Sequence, residues 1–127
     1  MYVVSSPTGT HLFVSIASGI AEFEVSVSLE ERDLQVLLSD HERAAFLQAA
    51  LHHPFQLRAT ALSESEQRRY LDVILHAREG DVEAFITALD HGPASGAISN
   101  MLRITQGRRR QDMRKPVALL HEGAHWR

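Results

Sequence analysis

The chain has 127 residues, of which 44% are hydrophobic and 23% charged, and it contains no cysteine. That length suits one domain with its own hydrophobic core, and the lack of thiols excludes a disulfide framework, a cysteine nucleophile and thiolate zinc sites, in keeping with a reducing compartment. Met1 to Thr10 carries no basic run of the secretory type and the most apolar window, Leu12 to Ile20, is too short to span a bilayer, so a cytoplasmic protein without membrane contact is expected.

Net charge is −3 but uneven: −8 over residues 1–92 and +5 over residues 93–127. An acidic body thus carries a basic C-terminal segment, an asymmetry that often marks a partner-binding end. Lys115 is the only lysine among the basic residues, the signature of a GC-rich, bacterial type of coding sequence.

In chain order, Tyr2 to Val4 is a short apolar run, and Pro7-Thr8-Gly9 is turn chemistry. Leu12, Val14 and Ile16 alternate along the next run. After a break at Ser18-Gly19, Phe23, Val25, Val27 and Leu29 alternate with Glu22, Glu24, Ser26 and Ser28. Period two predicts a three-stranded antiparallel meander with one dry face. At Ser28 the period becomes helical. Ser28 to Glu31 has the form of a capping box, followed by the stripe Leu34, Leu37, Leu38. Ser39 to Glu42 repeats the box before a second helix through Phe46, Ala49, Ala50 and Leu51, expected to end before Pro54. Residues 55–62 fit a fourth strand, with Phe55, Leu57, Ala59 and Ala61 alternating.

Ser63 to Glu66 opens a third helix, buried along Leu71, Ile74 and Leu75. Gly80 is placed to end it and Asp81 to cap the next. Val82, Phe85, Ile86 and Leu89 form an amphipathic stripe, stopped by Gly92-Pro93. Ile98, Met101 and Leu102 suggest a short helix, residues 106–115 a polar loop, and Pro116 the first turn of a last helix. The fold class is therefore α+β: an N-terminal meander packed against four or five helices, with residues 1–105 as the domain and 106–127 as a basic segment plus helix.

Residues 76–92, through Gly80, Glu83 and the Phe85/Leu89 spacing, resemble the helix–turn–helix of an ankyrin repeat. No second copy occurs near a period of 33 residues, which points to a general helical hairpin. His121-Glu122-Gly123-Ala124-His125 resembles the zinc-binding helix of metallopeptidases. That resemblance implies His121 and His125 as ligands and Glu122 as activator of bound water. Only Trp126 and Arg127 follow, so a third ligand would come from upstream, where His11, His41, His52, His53, His76 and His91 stand. Gly123 and a fraying helix end weaken the site further, and no stoichiometric zinc is expected. Arg108, Arg109, Arg110, Arg114 and Lys115 form a basic run suited to phosphate, without interleaved aromatics for base stacking. His52-His53-Pro54 lies at a helix end, where adjacent histidines diverge. No Gly-rich phosphate loop or G-x-S-x-G elbow is present, and no cofactor is expected.

Three functions remain open. The first is a non-enzymatic protein-binding module with the acidic body as its surface and Glu22 and Glu24 as solvent-face contacts. In size and charge this is similar, at the level of a class, to bacterial immunity proteins that neutralise a basic, nuclease-like toxin. The second is a nucleic-acid-binding regulator using residues 108–115. The third is a zinc hydrolase using His121, Glu122 and His125.

Overall fold

The computed structural model describes residues 1–102 and 118–121. It begins with the expected meander: β1 (Tyr2–Ser6), β2 (Gly9–Ser18) and β3 (Ala21–Leu29), each antiparallel to the next. A further strand, β4 (Ala118–His121), adds parallel to β1, from Tyr2↔Ala118 to Ser5↔His121. The sheet order is β3-β2-β1-β4, so β3 is an edge.

Period two works as expected on β2, where Leu12, Val14 and Ile16 are fully buried. Register places Val3, Leu12 and Val27 side by side on the dry face. On β3 the alternation is only half realised: Val27 is buried, Val25 and Leu29 are half-buried, and Phe23 is 41% exposed. An edge strand has a neighbour on one side only, so its apolar residues find cover at one end.

Four helices follow: α1 (Glu31–Ser39), α2 (His41–Phe55), α3 (Glu64–His76) and α4 (Glu79–His91). Residues 97–102 are also helical. The central helix is α2, which packs on β2 and touches α1, α3 and α4. It buries Ala44, Leu47, Ala49, Ala50, Leu51 and Phe55, residues from more than one face, as a helix enclosed by others must. Leu37, Leu71, Ile74 and Val82 complete the core.

Several boundaries differ from the sequence expectation. The box opening α1 is made by Glu30 and Asp33, two residues later than Ser28 and Glu31, because β3 stays extended to Leu29. Asp40, one residue after Ser39, caps α2 by accepting from Arg43 N–H at 3.1 Å. α2 runs past Pro54 to Phe55; a proline in the last turn gives up one hydrogen bond, and burial of Phe55 anchors the turn. Residues 55–62 form no strand. They contain the end of α2 and a 3-10 turn at Arg58–Thr60, with Leu57 63% exposed. Ser63 and Glu66 do form the expected reciprocal box at α3. Gly80 lies inside α4, which starts after Arg78, so the link between α3 and α4 is Ala77-Arg78 and comes earlier than Gly80 and Asp81 imply. Asp90 Oδ1 accepts from Ser99 N–H at 2.8 Å and ties the segment after α4 to its end.

The expected last helix is corrected at residues 118–121, which are extended. Ala118-Leu119-Leu120 is apolar enough for either state, and pairing with the open side of β1 decides it. No helix among the described residues is long and apolar enough to cross a membrane.

Candidate functional site

The start of α1 and the inward side of α3 meet at Asp33, a fully buried carboxylate. Its position as third residue of α1 turns it back toward Glu30, whose backbone N–H donates to Oδ2 at 2.7 Å. Arg68, one turn into α3, donates from Nη1 to Oδ2 at 2.8 Å and from Nη2 to Oδ1 at 2.7 Å. His76, two turns further on, brings Nε2 to 2.7 Å from Oδ1. Burial by itself would push the Asp33 carboxyl up, but the hydrogen bonds from Arg68, His76 and Glu30 outweigh it and hold it at about 2. The bond to Asp33 likewise raises Arg68, against its own burial. Asp72 accepts from Arg68 Nε at 2.9 Å and from Arg32 Nη2 at 2.7 Å, and Glu30 accepts from Arg32 Nε at 2.7 Å.

A carboxylate orienting a histidine is also how a general base is held. Here both oxygens of Asp33 are engaged by Arg68 as well, and the donors of Arg68 are spent on Asp33 and Asp72. The arrangement clamps α1 to α3. The sequence offered His76 only as one of the upstream histidines for a zinc site and did not single out Asp33 or Arg68. The available signal was an aspartate directly before the apolar stripe of α1, and helical spacing alone does not show that it is buried.

Beside this clamp, β3 and α3 enclose a cleft of about 330 Å³ lined by Ser26, Ser28, Leu29, Glu30, Glu64, Gln67, Arg68 and Leu71. Its strand side is the open edge of β3, and register shows which backbone groups face it. Gly19, at φ +63°, and Ile20 form a two-residue turn closed by the pair Ser18↔Ala21. Such a closing pair exchanges both hydrogen bonds, and bonded and non-bonded pairs alternate from there. Ala21, Phe23, Val25, Val27 and Leu29 therefore bond to β2, while Glu22, Glu24, Ser26 and Ser28 turn N–H and C=O outward. Among the described residues nothing bonds to those outward groups.

The same parity turns Ala17 of β2 away from β3, at a level that β1 does not reach. There α2 takes over. Ala17 N–H donates to His52 Nε2 at 3.2 Å, and Gln56 Nε2 donates to Ala17 C=O at 2.8 Å. One exposed stretch of edge is thus capped by side chains, while the longer edge of β3 is left open. His52 is an end-of-helix residue, as its sequence suggested, with the specific role of acceptor.

Glu22 and Glu24 are both exposed, on the outer face of β3. Ser15 Oγ donates to Glu22 at 2.8 Å, and Tyr2 Oη donates to Glu24. Among the described residues neither makes an ion pair, nor does Glu64 of α3, which lines the cleft. A smaller acidic groove of about 160 Å³ lies between α2 and α4, with Glu42, Glu79 and Glu83 around Arg43. Glu42 and Glu79 occupy first helical turns, where the helix dipole favours a carboxylate; Glu22 and Glu24 have only the neutral donors Ser15 and Tyr2.

Of the other sequence-flagged residues, His121 stands in β4 opposite Ser5. The spacing argument for a shared zinc assumed a helix, whereas His121 is in a strand. Glu122, His125, Arg108, Arg109, Arg110, Arg114 and Lys115 lie outside the described residues. No group of three potential metal ligands occurs among the described residues. Set against protein-family models, curated proteins and solved structures, the chain matches none of them.

Proposed function

We propose that the protein is a non-enzymatic protein-binding module of the inhibitor type, whose acidic surface docks on a basic partner such as a nuclease-like toxin. The observation that carries this reading is the placement of Glu22 and Glu24: both are exposed on the edge strand β3, and neither makes an ion pair among the described residues. Carboxylates arranged in this way raise the encounter rate with a basic surface and oppose acidic ones.

The test is to capture partners by crosslinking, identify them, and reconstitute each complex from purified components. The expected result is a stoichiometric complex with a basic protein. Its association slows steeply with salt, and slows further in Glu22→Lys/Glu24→Lys by about tenfold, with dissociation little changed. Recovery of nucleic acid and no protein, with binding abolished when Arg108, Arg109 and Arg110 become alanine, overturns the reading in favour of a nucleic-acid-binding regulator. Retention of one zinc per chain, lost in His121→Ala/His125→Ala, would instead direct attention to Glu122 and hydrolysis.

A further inference from the structure

The mode of docking follows from the edge of β3. We infer that the β3 edge takes up an extended segment of the partner as an added strand, and that the segment alternates basic with apolar side chains; the inference rests on the protein-binding reading above.

Three observations support it. First, the outward backbone groups of Glu22, Glu24, Ser26 and Ser28 form a continuous hydrogen-bonding row with nothing bonded to it among the described residues. Edges are normally blunted by proline, charged side chains, a bulge or a covering element, and the charges on β3, Glu22 and Glu24, repel acidic strands while admitting a basic one. β3 contains neither proline nor lysine, and its pairing with β2 is unbroken from Ala21 to Leu29. Second, the end of this row opens into the cleft against α3, so an added strand has a wall as well as an edge. Third, the two faces beside the edge differ in chemistry. On the outer face stand Glu22 and Glu24. On the inner side Phe23 is 41% exposed, and Val25 and Leu29 are half-buried. Because side chains of an added strand alternate between those faces, one set meets carboxylates and the other meets apolar surface. A second copy of this chain fits less well: paired antiparallel along the whole row it sets Glu22 and Glu24 opposite Ser28 and Ser26, so the carboxylates gain no basic partner, which a basic segment supplies.

The discriminating variant is Ser26→Pro. Proline removes an outward N–H and leaves the ladder to β2 intact, which is the position an edge strand tolerates. The probe is a fluorescent decapeptide alternating arginine and valine, read by anisotropy, beside the same peptide N-methylated at alternate residues. The expected result is saturable binding to the parent chain, weakened by about tenfold or more by N-methylation and by Ser26→Pro, since main-chain hydrogen bonds supply the affinity in strand addition. Circular dichroism checks that the variant is folded. If Ser26→Pro fails to fold, the N-methylated peptide on the parent chain decides alone. Equal binding of both peptides overturns strand addition, as does no saturable binding of either. If the reconstituted partner complex still weakens on Glu22→Lys/Glu24→Lys, acidic docking survives without it. A parent chain that sediments as a dimer, disrupted by Ser26→Pro, assigns the edge to a second copy and also overturns the inference.

Discussion

Asp33 shows how one buried charge can be tolerated in a small domain. Its desolvation is offset by two side chains from α3 and one backbone donor, so removing the charge strands Arg68 rather than relieving it. Asp33→Asn is expected to cost on the order of 3 kcal/mol, as breaking a buried pair does, measured by urea unfolding at neutral pH. The pH dependence has a definite sign. The carboxyl is held at about 2 when folded against an ordinary 3.8, so its contribution is complete above the ordinary value and is lost as pH falls from there toward 2. That difference corresponds to about 2 kcal/mol, and the gap between parent and Asp33→Asn should narrow over this interval. A constant gap would show that Asp33 is not the titrating group. His52 works in the opposite charge sense. Burial, then the charge of His53, lowers it from 6.5, and as the acceptor of Ala17 N–H it is held neutral. Its contribution is present above 6.5 and fades as pH falls below, because protonation removes the acceptor. The midpoint of thermal unfolding should therefore drop more between pH 7 and pH 5 in the parent than in His52→Gln, which keeps an acceptor that does not titrate.

At the scale of elements, the helical hairpin α3–α4 shows how an amphipathic stripe divides. Val82 and Ile86 are buried, whereas Phe85 and Leu89 are half-buried. Phe85 lies edge-on to Tyr70 with ring centroids 5.3 Å apart, and Arg69 stands over it at 5.5 Å. The 3–5 kcal/mol usual for truncating a core phenylalanine therefore exceeds what this position should lose. Phe85→Ala is expected to cost about 2 kcal/mol, less than Ile86→Ala beside it, with part of the loss from the aromatic pair. Denaturant titration of the two variants checks the order; a larger loss at Phe85 would place it in the core. The hairpin is the segment that resembles an ankyrin unit, yet its partner is α2 of this domain, and no second repeat stacks on it among the described residues.

At the scale of the molecule, the acidic balance of residues 1–92 shows in how their arginines are used. Several body arginines are consumed internally: Arg32 and Arg68 in the clamp, Arg43 on Asp40, Arg78 on Asp81. The carboxylates left over include those along β3. Electrostatic reach is about 8 Å at physiological ionic strength, so association with a basic partner should be fast in dilute salt and fall as screening shortens that reach. Stopped-flow association across a salt series measures this. A rate independent of salt would show that the carboxylates of β3 do not steer the encounter.

Sequence by itself determined the class of fold, since the change from period two to period 3.6 near Ser28 is a local property that burial of one face enforces in any context. It also determined the box at Ser63 and the stripe of α4, and it placed Glu22 and Glu24 on a wet face. A meander leaves β1 and β3 as its two edges, and only the tertiary structure decided that β1 is covered, by β4, while β3 is the one left open among the described residues. It likewise decided that Asp33 meets Arg68 and His76, across separations of 35 and 43 residues. Residues 118–121 carry no decisive propensity, and pairing with β1 made them a strand where sequence suggested a helix. The physical reason is the same in each case: periodicity reports the face a residue presents, while the identity of what lies against that face is set by long-range packing.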